Sequence, residues 1–225
     1  MAALVDCDLP KMPADPVPAT IDSTSFDSIC RAIDSHGMRP YMMTGILRHV
    51  LISHFAASGV IEEPTLRSLL WKDSPDSPIL IESVYRWKPA EANKRPACLI
   101  RRNGFQQKKL AVGNIAGSTP QMDLKYAVSW VGSHTVFCLG GSSLQAELLG
   151  MEVQRELTEF GPLIQKTLGL LKFEVVEVGA AAEVDESAEH YGIPITIGWA
   201  YTESWTLKQT ARKLGKIQLS TLITL

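Results

Sequence analysis

The chain has 225 residues, of which 45% are hydrophobic and 20% charged, and its 22 Lys and Arg against 24 Asp and Glu give a net charge of −2. This composition is typical of a globular protein with enough apolar material for its own core, and it excludes a disordered chain, a collagen-like chain and a coiled coil. The near-neutral balance gives no global basic character of the kind that favours nucleic acid or a membrane surface.

Residues 1–24 predict an extended arm, because they carry four of the 13 prolines of the chain. Their acidic, proline-broken start does not fit a signal peptide. The most apolar helical stretch, Gly45–Ile61, contains Arg48, His49 and His54 and falls short of the roughly 18 uncharged residues of a membrane span. We therefore expect a protein that folds in a cytoplasm. The four cysteines are isolated and are expected to be free thiols without a secretion signal, namely Cys7, Cys30, Cys98 and Cys138.

Residues 25–72 predict a helical segment. A short helix is expected over 25–35, and Pro40 stands at the first position of a stronger helix. A third, short helix is expected over Pro64–Trp71, before the sequence DSPDSP at 73–78 breaks the chain. The apolar face of the stronger helix is Met43, Ile46, Leu47, Val50, Leu51, His54 and Phe55, at three- and four-residue spacing.

Residues 73–206 predict the main folding unit. Alternation with a period of two over Ile79–Trp87 predicts a strand, and a second strand is expected over Pro96–Arg102. The next segment, Asn103–Asp123, is polar, has three glycines and shows no periodicity. It therefore predicts a long loop, of the kind that is usually functional or mobile until it meets a partner.

The following segment predicts a hairpin and then the longest helix. Strands are expected over Tyr126–Val131 and Thr135–Leu139, because a Gly-Ser-His sequence between them is typical of a tight turn. Ser142 with Gln145 three residues later fits a capping box, and an apolar stripe follows as far as Phe160.

The last third of the chain predicts two more strands. Lys172–Val178 is one, an acidic connection follows over Ala180–Tyr191, and Ile193–Tyr201 has the cleanest alternation in the chain. This order of elements predicts an α+β fold with a mainly antiparallel sheet and one long helix packed across a face, plus the N-terminal helices and arm. The extension at 207–225 is basic first and β-branched later.

The residue patterns do not predict catalysis, a metal site or a cofactor. The Gly-Gly-Ser turn before the long helix lacks the lysine of a phosphate loop, so we interpret it as a tight turn with a helix cap. His49 and His54 are five residues apart rather than four, which does not fit a helical zinc pair, and His54 on the apolar face predicts a core histidine. We therefore expect a protein that is not an enzyme.

Charge is distributed unevenly along the chain. Residues 91–109 hold six cations against one acid, residues 147–189 hold ten carboxylates against three cations, and four cations follow residue 207. Opposed patches suit head-to-tail self-association, and the alternative is a solvated basic loop with a solvated acidic helix. The candidate contacts with a neighbouring subunit or with DNA are Arg95, Arg101, Arg102, Lys108, Lys109, Lys208, Arg212, Lys213, Lys216, Glu147, Glu152, Glu156 and Glu159.

The order of elements resembles the tail-terminator and neck proteins of tailed bacteriophages. The resemblance rests on the long helix Ser142–Phe160, the strand KFEVVEVG, an acidic link and the strand GIPITIGWAYTESW. In that family a leading helix, here Met43–Ser58, precedes a hairpin, here Ile79–Arg102, and a long loop. The resemblance covers about residues 40–205 and depends on element order rather than on a diagnostic motif.

This resemblance implies a structural virion protein that assembles as a ring, commonly a hexamer, at the head–tail junction. Such a ring terminates the tail tube and docks it to the connector or stopper proteins, without catalysis or a cofactor, after synthesis in the host cytoplasm. The chain is longer than typical terminators at 1–39 and after Trp205. Both extensions would suit arms that clasp a neighbouring ring, as in another neck or head–tail joining protein.

An alternative from another class is a nucleic-acid-binding protein that uses the basic segment 94–109. DNA that passes through the lumen of a virion could meet the same segment, because phosphate contacts do not depend on sequence.

Overall fold

A computed structural model describes residues 40–86, 95–109, 114–120, 123–184 and 187–207. The expected arm, the short helix before Pro40 and the extension after Leu207 lie outside these residues. Among the described residues, no helix has both the length and the apolar composition needed to cross a lipid bilayer.

Seven strands of the described residues form one sheet, with the order β1-β2-β4-β7-β5 along its main path. The short strand β3 continues the edge of β2 along β4, and β6 continues the edge of β5 along β7. Every pairing is antiparallel except that of β1 with β2, so the expected mixed fold with a mainly antiparallel sheet is confirmed. The hairpin expected over Ile79–Arg102 is wrong, because its two strands, β1 and β2, pair in parallel. The strands are β1 (Leu80–Ser83), β2 (Ala97–Lys109), β3 (Ile115–Ser118), β4 (Leu124–Gly140), β5 (Lys172–Val178), β6 (Ala182–Val184) and β7 (Ser187–Leu207).

Within the described part of the chain, three α-helices accompany the sheet, namely α1 (Pro40–Phe55), α2 (Ser143–Glu159) and α3 (Gly161–Thr167). Because α1 has 16 residues and α2 has 17, the expectation of a single long helix is not confirmed. The described residues also include two short 3₁₀ turns, at Pro64–Ser68 and Val84–Arg86.

Helices α1 and α2 pack on the same side of the sheet, which we call the helix face. Their apolar side chains share one core with alternate residues of β2, β4 and β7, among them Val136 and Ile195. Leu149 and Val153 of α2 are fully buried there, and Trp199 is only 1% exposed, as its place in the cleanest alternating segment predicts.

Helix α2 begins as its sequence predicts. The Ser142 side chain accepts a hydrogen bond from the backbone N–H of Gln145 at 3.2 Å, and the Gln145 side chain accepts one from the N–H of Gly141 at 2.9 Å. This reciprocal pair satisfies backbone donors that the first helical turn leaves without partners. Gly140 just before the cap is required for space, because a Cβ there would lie 2.7 Å from the backbone nitrogen of Ala146.

The predicted hairpin at Gly132-Ser133-His134 is wrong, since β4 passes through these residues as one strand of 17 residues. Gly132 pairs with Trp199 of β7, and a Cβ on Gly132 would lie 2.6 Å from the Trp199 ring. Glycine is therefore needed here because an indole crosses the backbone, and not because the chain turns.

Two predicted connections contain strands instead. The loop expected over Asn103–Asp123 supplies the second half of β2 and the whole of β3, both paired with β4. The acidic connection expected over Ala180–Tyr191 contains β6 and the start of β7. Both segments lack a clear alternation of apolar residues because neither is covered by a helix on one side. The first strand is also shorter than expected, since the chain enters a 3₁₀ turn at Val84.

The ends of β2, β4 and β7 continue together away from the core. We call this part the projection; it comprises residues 105–109, 124–131 and 200–207, with β3 at its edge. Most of its side chains are exposed.

Candidate functional site

The basic residues of β2 lie on both faces of the sheet. Their pairing with β4 places Arg102 and Lys109 on the helix face, and Arg101 and Lys108 on the opposite face. All four are exposed. The basic segment is therefore not one basic surface, although its cations are close together in the sequence.

Two of the predicted basic contacts have partners within the subunit. The guanidinium of Arg101 lies 4.8 Å from the centre of the Phe137 ring. Arg95 donates hydrogen bonds to the backbone carbonyls of Pro75 at 2.6 Å and of Ser77 at 3.1 Å. Arg95 therefore fastens the loop before β1 to the start of β2.

The acidic candidates of α2 separate into two pairs. Glu147 and Glu159 are exposed, whereas Glu152 is only 3% exposed and Glu156 only 7%. The prediction that all four carboxylates are surface contacts is therefore wrong for Glu152 and Glu156. The reason is their helical phase, since positions 152 and 156 share the inward side of α2 with Val153.

These two carboxylates enclose His54 of α1. The His54 Nε2 atom lies 2.9 Å from Glu152 Oε1, and Nδ1 lies 2.8 Å from Glu156 Oε2. Glu152 Oε1 also accepts hydrogen bonds from Arg155 at 2.8 Å and from the backbone N–H of Glu62 at 3.2 Å. We call these five residues the His54 cluster. Arg155 additionally pairs with the Glu62 side chain.

The electrostatics of the cluster favour a charged imidazole. Burial disfavours the imidazolium, but the hydrogen bonds and negative charges of Glu156 and Glu152 outweigh it and raise the pKa of His54 above 6.5. An imidazolium between two carboxylates ties α1 to α2 inside the core. The expectation that His54 is a core histidine with partners is confirmed.

His134 has the opposite character. Its Nδ1 accepts a hydrogen bond from Trp199 Nε1 at 2.9 Å, so its proton is on Nε2, which lies 3.0 Å from the Thr44 hydroxyl. Burial and then the positive charge of Arg102 lower the pKa of His134 to about 4, although a hydrogen bond to the Pro40 carbonyl acts in the other direction. A neutral His134 thus links the sheet to α1.

Aromatic rings line the helix face where the projection begins. The Phe105 ring stacks on Trp130 with centroids 4.7 Å apart, and Trp199 and Tyr201 flank it at 5.6 and 6.4 Å. The Trp130 indole donates a hydrogen bond to Glu203 at 2.8 Å. The expectation that Trp199 and Tyr201 belong to a core or an interface agrees with their burial.

The outer edge of the sheet at β5 carries apolar side chains. Leu171 is 57% exposed, Val176 58% and Val178 49%. Within the described residues, β5 pairs with β7 only, and a β-bulge lies between Val175 and Glu177.

A groove runs beside this edge, between β5 and the end of α2 with the start of α3. We call it the β5 groove; its volume is about 470 Å³ and its lining includes Leu157, Pro162, Phe173, Val175 and Val178. The residues of β5 that point into it are those that pair with the core positions of β7.

A scan of the sequence against known protein-family models finds no match, and a comparison with curated proteins finds no significant similarity. The resemblance to tail-terminator and neck proteins therefore stays a prediction from element order. The function proposed below is therefore argued from the shape, charge and exposed side chains of the molecular surface.

Proposed function

We propose that this protein is a structural virion protein that forms a homo-oligomeric ring at the head–tail junction of a tailed bacteriophage. There it terminates the tail tube and docks it to the connector or stopper proteins. It works without catalysis and without a cofactor. The family comes from the resemblance in element order, and the observation that carries the proposal is the projection.

The projection carries an apolar patch on the helix face. Cross-strand pairing places Leu124 beside Leu207 and Tyr126 beside Trp205, and the last two rings stack with centroids 5.8 Å apart. Ile115 of β3 pairs with Tyr126 on the same face. Ile115, Leu124, Trp205 and Leu207 are between 39% and 52% exposed. A contiguous patch of this kind is typical of a contact with another protein.

The charged residues support a contact between unlike surfaces of identical subunits. Lys108, Lys109 and Lys125 are exposed on the projection, while Glu147 and Glu159 are exposed on α2. When two different surfaces of one chain meet, each copy uses one surface for each neighbour, and the assembly closes into a ring if the rotation allows it.

The buried titratable groups support a structural role. His54 and His134 are held inside the core by the partners described above. Cys98 and Cys138 face each other across β2 and β4, and both are fully buried. The hydrogen bond with Cys98, and then burial, raise the pKa of the Cys138 thiol. Among the described residues, these groups are placed to support packing rather than to meet a substrate.

A nucleic-acid-binding protein that uses segment 94–109 remains the alternative function. Such a protein needs several cations on one surface to neutralise neighbouring phosphates. The alternation of Arg101 and Lys108 with Arg102 and Lys109 across the sheet favours it less than assembly. If DNA passes through the lumen of the ring, the basic residues on either face of the sheet can contact its phosphates.

The ring is tested by light scattering and negative-stain imaging of the purified full chain, without nucleic acid. The expected particle has a mass of several times the 24.7 kDa of one chain and a central hole. A protein that stays monomeric at every concentration, and that shifts labelled duplex DNA at low salt, would favour the alternative instead.

The place in the virion needs a second experiment. Because a terminator limits tube growth, phage that lack the protein should make tails of uncontrolled length. Tails of normal length that fail to attach to heads would assign the protein to head–tail joining, and normal infectious virions would exclude both roles.

A further inference from the structure

Among the residues that the structure describes, the outer edge of β5 has no strand partner. A strand that pairs with this edge would satisfy its outward backbone groups, and every second side chain of that strand would enter the β5 groove. The exposed Val178 side chain already lies at the rim of this groove. Open edges with apolar side chains are a hazard for aggregation, so proteins that retain one commonly use it for a specific contact.

The end of the chain has the pattern of a strand that would fit. Residues 216–225 read KIQLSTLITL, in which apolar and polar residues alternate with a period of two. The side that would enter the groove is Ile217, Leu219, Thr221, Ile223 and Leu225, and only one large apolar residue, Leu222, stands on the other side.

The charges of the two segments are complementary. The edge formed by β5 and β6 carries Glu174, Glu177 and Glu183 against Lys172, and Lys172 already pairs with Glu174 at 2.6 Å. The C-terminal extension carries four cations and no acid, which are Lys208, Arg212, Lys213 and Lys216. Unlike charges favour the encounter of these segments, whereas the like charges of two identical acidic edges disfavour the pairing of those edges with each other.

Chain length limits how a subunit could use its own segment. A strand that runs antiparallel to β5 must begin beside Val178, which pairs with Ile195 of β7. At about 3.3 Å per residue, Ile195 lies about 40 Å along β7 from Leu207, the residue after which the extension begins. The link 208–215 has eight residues and spans at most about 29 Å. Even with Leu219 as the first paired residue, the eleven residues 208–218 span at most about 40 Å. A subunit can therefore place its own segment on its own β5 in the parallel direction, which is the slightly less stable pairing, or in the antiparallel direction only with a fully extended link.

We propose that residues 216–225 of one subunit add as an antiparallel strand to the outer edge of β5 in the neighbouring subunit, with their apolar side chains in the β5 groove. This inference rests on the proposed ring. Each subunit then gives one strand and receives one, so the contact is heterologous and every β5 edge in a closed ring is covered.

Disulfide trapping tests the contact directly. Val178→Cys is combined in turn with Leu219→Cys, Thr221→Cys and Ile223→Cys, in full-length protein whose Cys7 and Cys30 are replaced by serine. Under mild oxidation, at least one combination should give a ladder of covalent oligomers on a non-reducing gel. Ser118→Cys of β3 with the same partners is the matched control and should give none. A product that runs only as a cross-linked monomer would show docking within one chain and overturn the proposal.

Substitutions on alternate positions test the strand pattern. Leu219→Asn with Ile223→Asn should weaken association by about tenfold or more, because two apolar side chains no longer enter the groove. Leu222→Asn, which alters the other side of the strand, should have a much smaller effect. Equal effects of the two variants, measured by sedimentation velocity, would contradict the assigned face.

Charge exchange completes the test. Glu174→Lys with Glu177→Lys should weaken association at low salt, and adding Lys213→Glu with Lys216→Glu should restore it. Rings that persist through all these changes without a covalent ladder would refute this contact and leave the ring itself standing. A full chain that is monomeric at every concentration would refute the ring and the contact together.

Discussion

Removal of the His54 imidazole should strongly destabilise the subunit. In the His54→Ala variant, the carboxylates of Glu152 and Glu156 stay buried, and Glu156 loses the cation that lies 2.8 Å from it. Breaking a buried ion pair by removing one partner costs about 3–5 kcal/mol, because the remaining charge is left without compensation. We expect the free energy of unfolding to fall by about this amount at pH 6.

The pH dependence identifies the charge as the cause. The pKa of folded His54 is raised by the two carboxylates, so its contribution is fully present below the unfolded value of 6.5 and is lost as the pH rises through the higher folded value. The unfolding free energy of the wild type should therefore decrease between pH 6 and pH 9. His54→Gln keeps polar groups but cannot titrate, and its stability should change less over this range.

Urea unfolding at one fixed protein concentration measures both effects, because association would otherwise change the apparent stability. If the wild type and His54→Gln show parallel curves between pH 6 and pH 9, the imidazole is not charged in the folded protein. If His54→Ala costs less than about 1 kcal/mol, the cluster does not hold α1 against α2 and the reasoning from burial is wrong.

Three further predictions concern the core and the extension. Trp199→Ala should lower the free energy of unfolding by about 3–5 kcal/mol, through a cavity and through the loss of the donor to His134; a cost below about 1 kcal/mol in urea unfolding would contradict this. Gly132→Ala should cost about 1–3 kcal/mol, because its Cβ would meet the Trp199 ring at 2.6 Å, and an unchanged midpoint of thermal unfolding would show that the ring moves freely. Simultaneous reversal of the extension's cations to Glu should slow assembly at 0.1 M salt, as followed by light scattering, and should have less effect at 1 M. Equal assembly rates of the variant and the wild type at all salt concentrations would show that these charges do not guide the interface. The reversed cations are Lys208, Arg212, Lys213 and Lys216.

Local signals predicted those parts of the fold where one side of an element is buried. Pro40 opens α1, the Ser142 cap opens α2, and the alternation around Trp199 marks a strand with one face in the core. In each case the evidence lies within a few residues, because hydrogen bonding at a helix end and the period of a half-buried element are local properties.

The errors arose where a distant partner determines the local structure. Gly132 predicts a turn from the sequence alone. Its real cause is the Trp199 ring that crosses it, and Trp199 lies 67 positions later in the chain. Glu152 and Glu156 were expected on the surface because carboxylates are seldom buried without a partner, and their partner His54 is 98 positions away from Glu152. Helical phase places Glu152 and Glu156 beside the apolar stripe of α2, but nothing inside α2 reveals the distant partner that allows two carboxylates to be buried. The candidate contacts could therefore not be sorted from the sequence alone.

The polar second half of β2 belongs to the projection, which is the part of the fold that we propose contacts a neighbouring subunit. Residues 105–109 form a strand because β4 supplies hydrogen bonds to their backbone, although most of their side chains remain exposed. Burial, which stabilises most strands, therefore contributes little here within one subunit. If the ring forms, the apolar patch of the projection gains burial from a neighbour and the projection should be stabilised on assembly. Backbone hydrogen exchange should consequently be slower in the projection of the ring than in the isolated subunit, while exchange in the core around Val136 should change little. Equal protection of the projection in both states would mean that it lies outside every subunit interface.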